Sequence, residues 1–298
     1  MNNQAWQTQD ERGTLFWLRV ITWIALRIGR PVAWCLQYPI TLYFFLTSPK
    51  TRRASYAFLN RALARPASWR DSFRQHRYFA CTILDRVYLL SRRYDCLDVE
   101  IHGQEAILER ISAGSGCIIL GSHLGSFEVL RSLGARRDEF SIRVLMRHEQ
   151  NQVITEFLNH LDADIADVVI PLGQIDSMLR AQEAAEQGAL IGLLGDRAVP
   201  GEESHECSFL GKSAPFPVAP MKLAMIMKIP VYQFFGVYRG GNRYDIHFEL
   251  LTDALDVSRG ERAAVAAHLV EQYASRLEHY AKKAPYNWFN FYDFWQSG

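Results

Sequence analysis

From residue 97 onward the chain alternates short β-rich runs with stretches of helical periodicity, and this alternation constrains the fold more than any other feature. The β-rich runs are 97–101, 117–120, 141–146, 167–170, 189–194 and 231–237, with 244–250 as a further strand. Helical patterns lie between them near 104–113, 126–136, 151–161, 174–187 and 217–227. Parallel strands need long crossover connections, usually helices, so this rhythm predicts an α/β fold. Its core is a mixed, largely parallel central sheet flanked by helices. Two longer amphipathic helices are predicted over 67–91 and 260–281, the first carrying Arg70, Arg74 and Arg77 on faces away from its apolar positions.

The N-terminal third differs in character. Residues 1–93 hold 15 Lys and Arg against 4 Asp and Glu, whereas residues 94–298 hold 18 against 28. The basic third is also the most apolar part. Residues 14–26 are apolar apart from Arg19, and residues 31–47 carry no charge at all. Trp17, Trp23, Trp34, Tyr38 and Tyr43 are aromatics of the kind favoured at a lipid interface, and Arg19, Arg27 and Arg30 can reach headgroups. Basic charge interleaved with apolar surface suits an anionic membrane better than nucleic acid. The expected organisation is therefore an N-terminal membrane-associated helical segment with a basic flank over 1–66, and an α/β domain with an aromatic tail over 67–298. Because residues 31–47 are at the lower length limit for a spanning helix and contain Pro39, a spanning and an interfacial anchor both remain open. No cleavable signal peptide is evident. Five scattered cysteines without a CxxC pair predict free thiols in a reducing compartment.

Residues 117–128 read Cys-Ile-Ile-Leu-Gly-Ser-His-Leu-Gly-Ser-Phe-Glu. An apolar strand ends at Gly121, His123 follows, and a helix is predicted to open near Ser126. In an open α/β sheet ligands gather at the carboxyl ends of strands, so His123 stands at the mouth of a crevice. Glu128, in the first turn of the predicted helix, is the expected carboxylate partner. A carboxylate that accepts the proton of one ring nitrogen makes the other a general base. Ser122 is not in a G-x-S-x-G elbow, which leaves a substrate hydroxyl as the nucleophile. A helix start presents free donors, so the backbone N–H groups of Gly125 and Ser126, together with the side chain of Arg147, are candidates to bind an anionic oxygen of a substrate. Asp196 ends a predicted buried strand, and Arg197 beside it is a phosphate-binding candidate. His148-Glu149 lacks the second His of a zinc motif and His205-x-Cys207 is too sparse, so no metal and no redox cofactor is expected.

The pair His123-x4-Glu128 resembles the His-x4-Asp/Glu motif of glycerolipid acyltransferases. The chain is similar to the late acyltransferases of lipid A synthesis, through Leu-Met-Arg147, Leu-Leu-Gly-Asp196-Arg197, Ser-Phe209-Leu-Gly211, Pro215-Phe-Pro217-Val-Ala-Pro220 and Trp288. It departs from them at Arg197, where the family commonly has Gln, and over Phe157–Asp162, where the family has an Arg-rich patch. Its tail Asn287-Trp-Phe-Asn-Phe-Tyr-Asp-Phe-Trp looks more like the branch found beside aryl-polyene and glycolipid genes. The resemblance implies transfer of a fatty acyl group from a thioester, on acyl carrier protein or coenzyme A, to a hydroxyl of a membrane lipid or glycolipid. The thioester is then a co-substrate and no cofactor is needed. It further implies a bacterial inner membrane location with the catalytic domain on the cytoplasmic side. Two rivals are a non-catalytic membrane-binding relative and a hydrolase of acyl esters.

Overall fold

The computed structural model describes residues 20, 22–130, 132, 141–147, 168–173, 176–199 and 201–295, with the side chain of Arg147 excluded. Residues 1–19 of the expected anchor, the predicted helix at 151–161, the Phe157–Asp162 segment and His148-Glu149 lie outside the described residues.

All seven predicted strands form one sheet. They are β1 (Asp98–His102), β2 (Cys117–Gly121), β3 (Ile142–Arg147), β4 (Val169–Leu172), β5 (Leu190–Leu194), β8 (Val231–Gly240) and β9 (Arg243–Thr252). Their order is β1-β9-β8-β2-β5-β3-β4. Every neighbouring pair is parallel except β8 and β9. These two form an antiparallel hairpin turned at Gly240-Gly241, both of which have positive φ (91° and 68°).

The helices among the described residues are α1 (Arg30–Thr47), α2 (Pro49–Ala62), α3 (Trp69–Leu90), α4 (Glu105–Ser112), α5 (Ser177–Glu186), α6 (Ala219–Met227) and α7 (Arg262–Lys283). They cover both faces of the sheet. On β2, Ile118 and Leu120 pack with α5, α6 and α7, while Cys117 and Ile119 pack with α3 and α4. Covering on both sides is why β2 and β5 read as continuous apolar runs. Helix α3 starts at a reciprocal cap: Ser68 Oγ accepts from the Asp71 N–H at 3.3 Å, and the Asp71 carboxylate accepts from the Ser68 N–H at 2.8 Å.

Two elements depart from expectation. Residues 204–217 form a hairpin, β6 (Ser204–Phe209) with β7 (Lys212–Pro217), where no strands are predicted. Its turn residues Leu210 and Gly211 both have positive φ (51° and 78°), and a leucine there gives no Asn-Gly signature. Pro215 and Pro217, unusual within a strand, are tolerated because β7 pairs on one side only. The second departure follows Ser126, where the described backbone forms a single 3-10 turn (Glu128–Leu130). The rest of the helix predicted over 126–136 falls largely outside the described residues.

Helix α1 is inside out. Its protein-facing stripe is Ala33, Gln37, Thr41 and Phe45, and Gln37 donates to the Ala80 carbonyl of α3 at 2.6 Å. Its large apolar residues Leu42, Tyr43, Phe44 and Leu46 point outward, from 47 to 63 % exposed. No helix among the described residues is long and apolar enough to cross a membrane.

Candidate active site

The site is built where β2 and β5 end side by side. Their register pairs Gly121 with Leu194, and the Gly195 N–H donates to the Gly121 carbonyl at 3.0 Å. The Tyr273 hydroxyl of α7 donates to the same oxygen at 2.7 Å. Two residues beyond each paired strand end stand His123 and Asp196. Asp196 Oδ1 accepts from His123 Nδ1 at 2.8 Å, and Oδ2 accepts from the His123 backbone N–H at 3.0 Å. The sheet register therefore brings together residues 73 positions apart.

Asp196 is fully buried, and burial would by itself raise its pKa. The charge of His123, its hydrogen bonds and the nearby Arg197 outweigh that, holding the carboxyl at about 2. Two further donors reach Oδ2: Asn290 Nδ2 at 3.0 Å and Trp288 Nε1 at 3.3 Å. An ionised carboxylate only accepts, so His123 Nδ1 carries a proton toward Asp196, and in the neutral form of the ring the lone pair lies on Nε2. The His123 side chain is 26 % exposed, enough to meet a substrate.

The expected partnership of His123 with Glu128 is corrected by this geometry. Arg86 of α3 donates to Glu128, while the His123 ring is bonded to Asp196. The cause is the path of the chain after His123. The Gly125 N–H donates to the Asn287 carbonyl, and the Ser126 N–H to the Gly236 carbonyl, each at 2.8 Å. Residues 124–126 are thus drawn out between the tail and β8 instead of starting a helix, which carries Glu128 toward α3. The same two bonds overturn Gly125 and Ser126 as backbone oxyanion donors, because both N–H groups are already committed. Gly125 is itself required: its φ is +74°, and a Cβ there would run into the Gly236 carbonyl. The side chain of Arg147, the third candidate donor, lies outside the described residues.

Arg197 is held beside the dyad. Its Nε donates to Asn290 Oδ1 at 2.7 Å and its Nη2 to the Phe289 carbonyl at 3.4 Å. Its guanidinium lies 5.7 Å from the centre of the Tyr292 ring. Burial lowers its pKa and Asp196 opposes that shift, and a guanidinium so placed remains a cation. Ser122 Oγ accepts from the Leu124 N–H at 3.3 Å and is buried, so it is not presented as a nucleophile. Among the described residues no group of three or more metal-ligating side chains gathers.

The aromatic tail completes the site, and sequence reasoning missed its part in it. Residues 285–295 pack onto the domain, with Trp288, Phe289, Phe294 and Trp295 buried. The Phe289 N–H donates to the His123 carbonyl at 2.8 Å, and Leu124 bridges Trp288. Asn287 and Asn290, two polar residues inside a run of aromatics, are the only sequence signal for this contact. Both are buried with their amides bonded.

Fold and site together define an α/β protein with a histidine–carboxylate dyad at the carboxyl ends of two central parallel strands. Residues 74–297 match the family of bacterial lipid A biosynthesis acyltransferases, and the chain belongs to that family. Acyl transfer to a lipid is the activity that membership brings. No curated protein matches the chain.

Proposed function

We propose that the protein transfers a fatty acyl group from a thioester, on acyl carrier protein or coenzyme A, to a hydroxyl of a membrane lipid or glycolipid, with His123 as the general base. The observation that carries this reading is the His123–Asp196 bond, with a buried carboxylate kept ionised behind a partly exposed imidazole. Nε2 removes the proton of the acceptor hydroxyl as its oxygen attacks the thioester carbonyl. The imidazolium that forms is stabilised by Asp196 across the 2.8 Å bond. Protonation of the departing thiolate by that imidazolium returns the ring to its starting state. Arg197 is the side chain we assign to negative charge, either the carbonyl oxygen or an acceptor phosphate. Glu128 is assigned to anchoring the loop through Arg86.

We further assign the protein to the cytoplasmic surface of a bacterial inner membrane, lying in the interface. The outward apolar face of α1 supports this, as does its setting. The acidic residues of 22–93 are Asp71 and Asp85, both buried, so the exposed face of α1–α3 carries cations only. Arg77 stacks on Trp34 and Tyr38, at 4.4 and 4.2 Å from their ring centres. Arginines mounted on aromatics beside exposed apolar side chains match the chemistry of a headgroup layer.

The test incubates the full chain with lauroyl-coenzyme A or lauroyl-acyl carrier protein and a bacterial inner-membrane lipid extract, following both lipid acylation and thiol release. Acylated lipid from wild type and none from His123→Ala is the expected result. Equal lipid acylation by His123→Ala refutes the mechanism, and thiol release without acylated lipid replaces transfer by hydrolysis.

A further inference from the structure

We propose that Asn290 is the positioning residue of this site: its carboxamide couples the His123–Asp196 dyad to Arg197, setting both the basicity of His123 and the direction of the guanidinium. The inference rests on the reading of His123 as general base.

Asn290 is 1 % exposed, and both of its polar atoms are engaged. Nδ2 donates to Asp196 Oδ2 at 3.0 Å, and Oδ1 accepts from Arg197 Nε at 2.7 Å. The amide orientation is dictated by its partners, since a carboxylate only accepts and a guanidinium only donates. Its backbone cannot slip, because the preceding residue, Phe289, donates its N–H to the His123 carbonyl at 2.8 Å. The strand ends supply His123 and Asp196, and the tail, more than 90 residues further along, supplies the side chain that joins the carboxylate to the cation.

The chemistry follows from the division of labour on Asp196. Three N–H donors, from His123, Asn290 and Trp288, converge on Oδ2 and leave Oδ1 to the imidazole Nδ1–H. Donors on Oδ2 draw negative charge away from Oδ1 and so temper how strongly the imidazolium is stabilised. Removing the Asn290 donor concentrates charge on Oδ1, and the ring then takes up its proton at higher pH. An Asn290→Asp carboxyl, 3.0 Å from the first, cannot ionise beside it; it holds a proton, donates to Asp196 as the amide does, and leaves Arg197 its acceptor. Asn290→Ala removes both contacts at once.

The variants therefore separate the two tasks. Asn290→Ala is expected to move the acid limb of the pH–rate profile upward by on the order of one pH unit and to raise KM for the thioester or lipid by roughly tenfold, because Asp196 loses a donor and Arg197 its anchor. Asn290→Asp, which keeps a donor and an acceptor, should leave the limb in place and KM within about twofold. Arg197→Lys, which keeps the charge and loses the Nε donor, should raise KM and leave the limb in place. Histidine-labelled NMR titration of His123 reads the same shift without activity. Were Asn290 merely packing, thermal stability would fall while limb and ring titration stayed at wild type. Should Asn290→Ala fail to fold, the near-isosteric Asn290→Leu carries the test alone. Wild-type limb, ring titration and constants in Asn290→Ala or Asn290→Leu, with His123→Ala inactive, would overturn this proposal and leave the base reading standing. Activity in His123→Ala would remove both.

Discussion

Asp196→Asn changes one oxygen of the buried carboxylate into an amide nitrogen at almost constant volume, and the structure dictates how the new side chain must sit. Oδ2 faces three N–H donors, so the amide oxygen has to remain there. The amide nitrogen then occupies the Oδ1 position, 2.8 Å from His123 Nδ1, and donates to it. The ring proton is thereby displaced to Nε2, the atom we propose to accept the proton of the acceptor hydroxyl. Recovering the active tautomer means turning the amide over, which aims its N–H bonds at three other donors. Losing two or three such bonds costs about 4 kcal/mol, or roughly a thousandfold in kcat. Glu128→Gln is the contrasting perturbation. Glu128 pairs with Arg86 where both side chains are about a quarter exposed, and a pair so placed contributes at most about 1 kcal/mol. Its kcat should fall by less than about fivefold. The assay is thioester consumption with lipid acceptor, supported by circular dichroism to establish folding. If Glu128→Gln were as inactive as Asp196→Asn, or if Asp196→Asn kept more than a tenth of wild-type kcat, the assignment of Asp196 as partner of His123 would be wrong.

Four further outcomes are expected. The Asp196 carboxyl, held at about 2 against an ordinary 3.8, stabilises the fold above about pH 4, and this is lost as pH falls toward 2. The shift corresponds to about 2 kcal/mol, so urea midpoints of Asp196→Asn should converge on wild type over that interval. His247 is held at about 4 against an ordinary 6.5, first by burial and then by His102, stacked on it at 4.6 Å, and Lys283. Because the native state resists its protonation, stability should decline as pH falls from 6.5 toward 4, and His247→Phe should flatten that decline in thermal melts. Asp85 is buried, bonded by Arg30 at 2.8 Å and by Tyr244 at 2.9 Å, so Asp85→Ala strands a cation that is itself largely buried. A loss of about 3–5 kcal/mol in chemical denaturation is expected, and a loss under 1 kcal/mol would contradict it. Replacing Leu42, Tyr43, Phe44 and Leu46 by Ser should abolish sedimentation with phosphatidylglycerol vesicles and leave the melting temperature unchanged. Undiminished sedimentation would move the membrane contact elsewhere.

The two backbone bonds that hold residues 124–126 show how local reading goes astray. Nothing between Ser122 and Glu128 announces that Gly236 and Asn287 would take the Gly125 and Ser126 N–H groups. Read as an isolated strand–loop–helix, the segment places Glu128 near the ring; folded against β8 and the tail, it does not. The β6–β7 hairpin was hidden for a related reason, since its turn is held by Leu210, whose N–H donates to Glu278 of α7 at 2.5 Å. Such contacts are between residues far apart in the chain, and they leave no periodicity.

What the amino-acid sequence determined alone is the part of the molecule governed by local rules. Strand and helix periods specified the seven strands of the sheet, and α3 and α7 to within two residues. The apolar run ending at Gly121 placed His123 at a strand's carboxyl end. Tertiary structure alone decided which carboxylate serves that histidine. The parallel pairing of β2 with β5 makes Asp196 its neighbour, and the buried tail supplies the donors that keep Asp196 ionised. A histidine's position follows from its own strand. Its partner and its basicity follow from a sheet register and a burial that exist only once the chain has closed on itself.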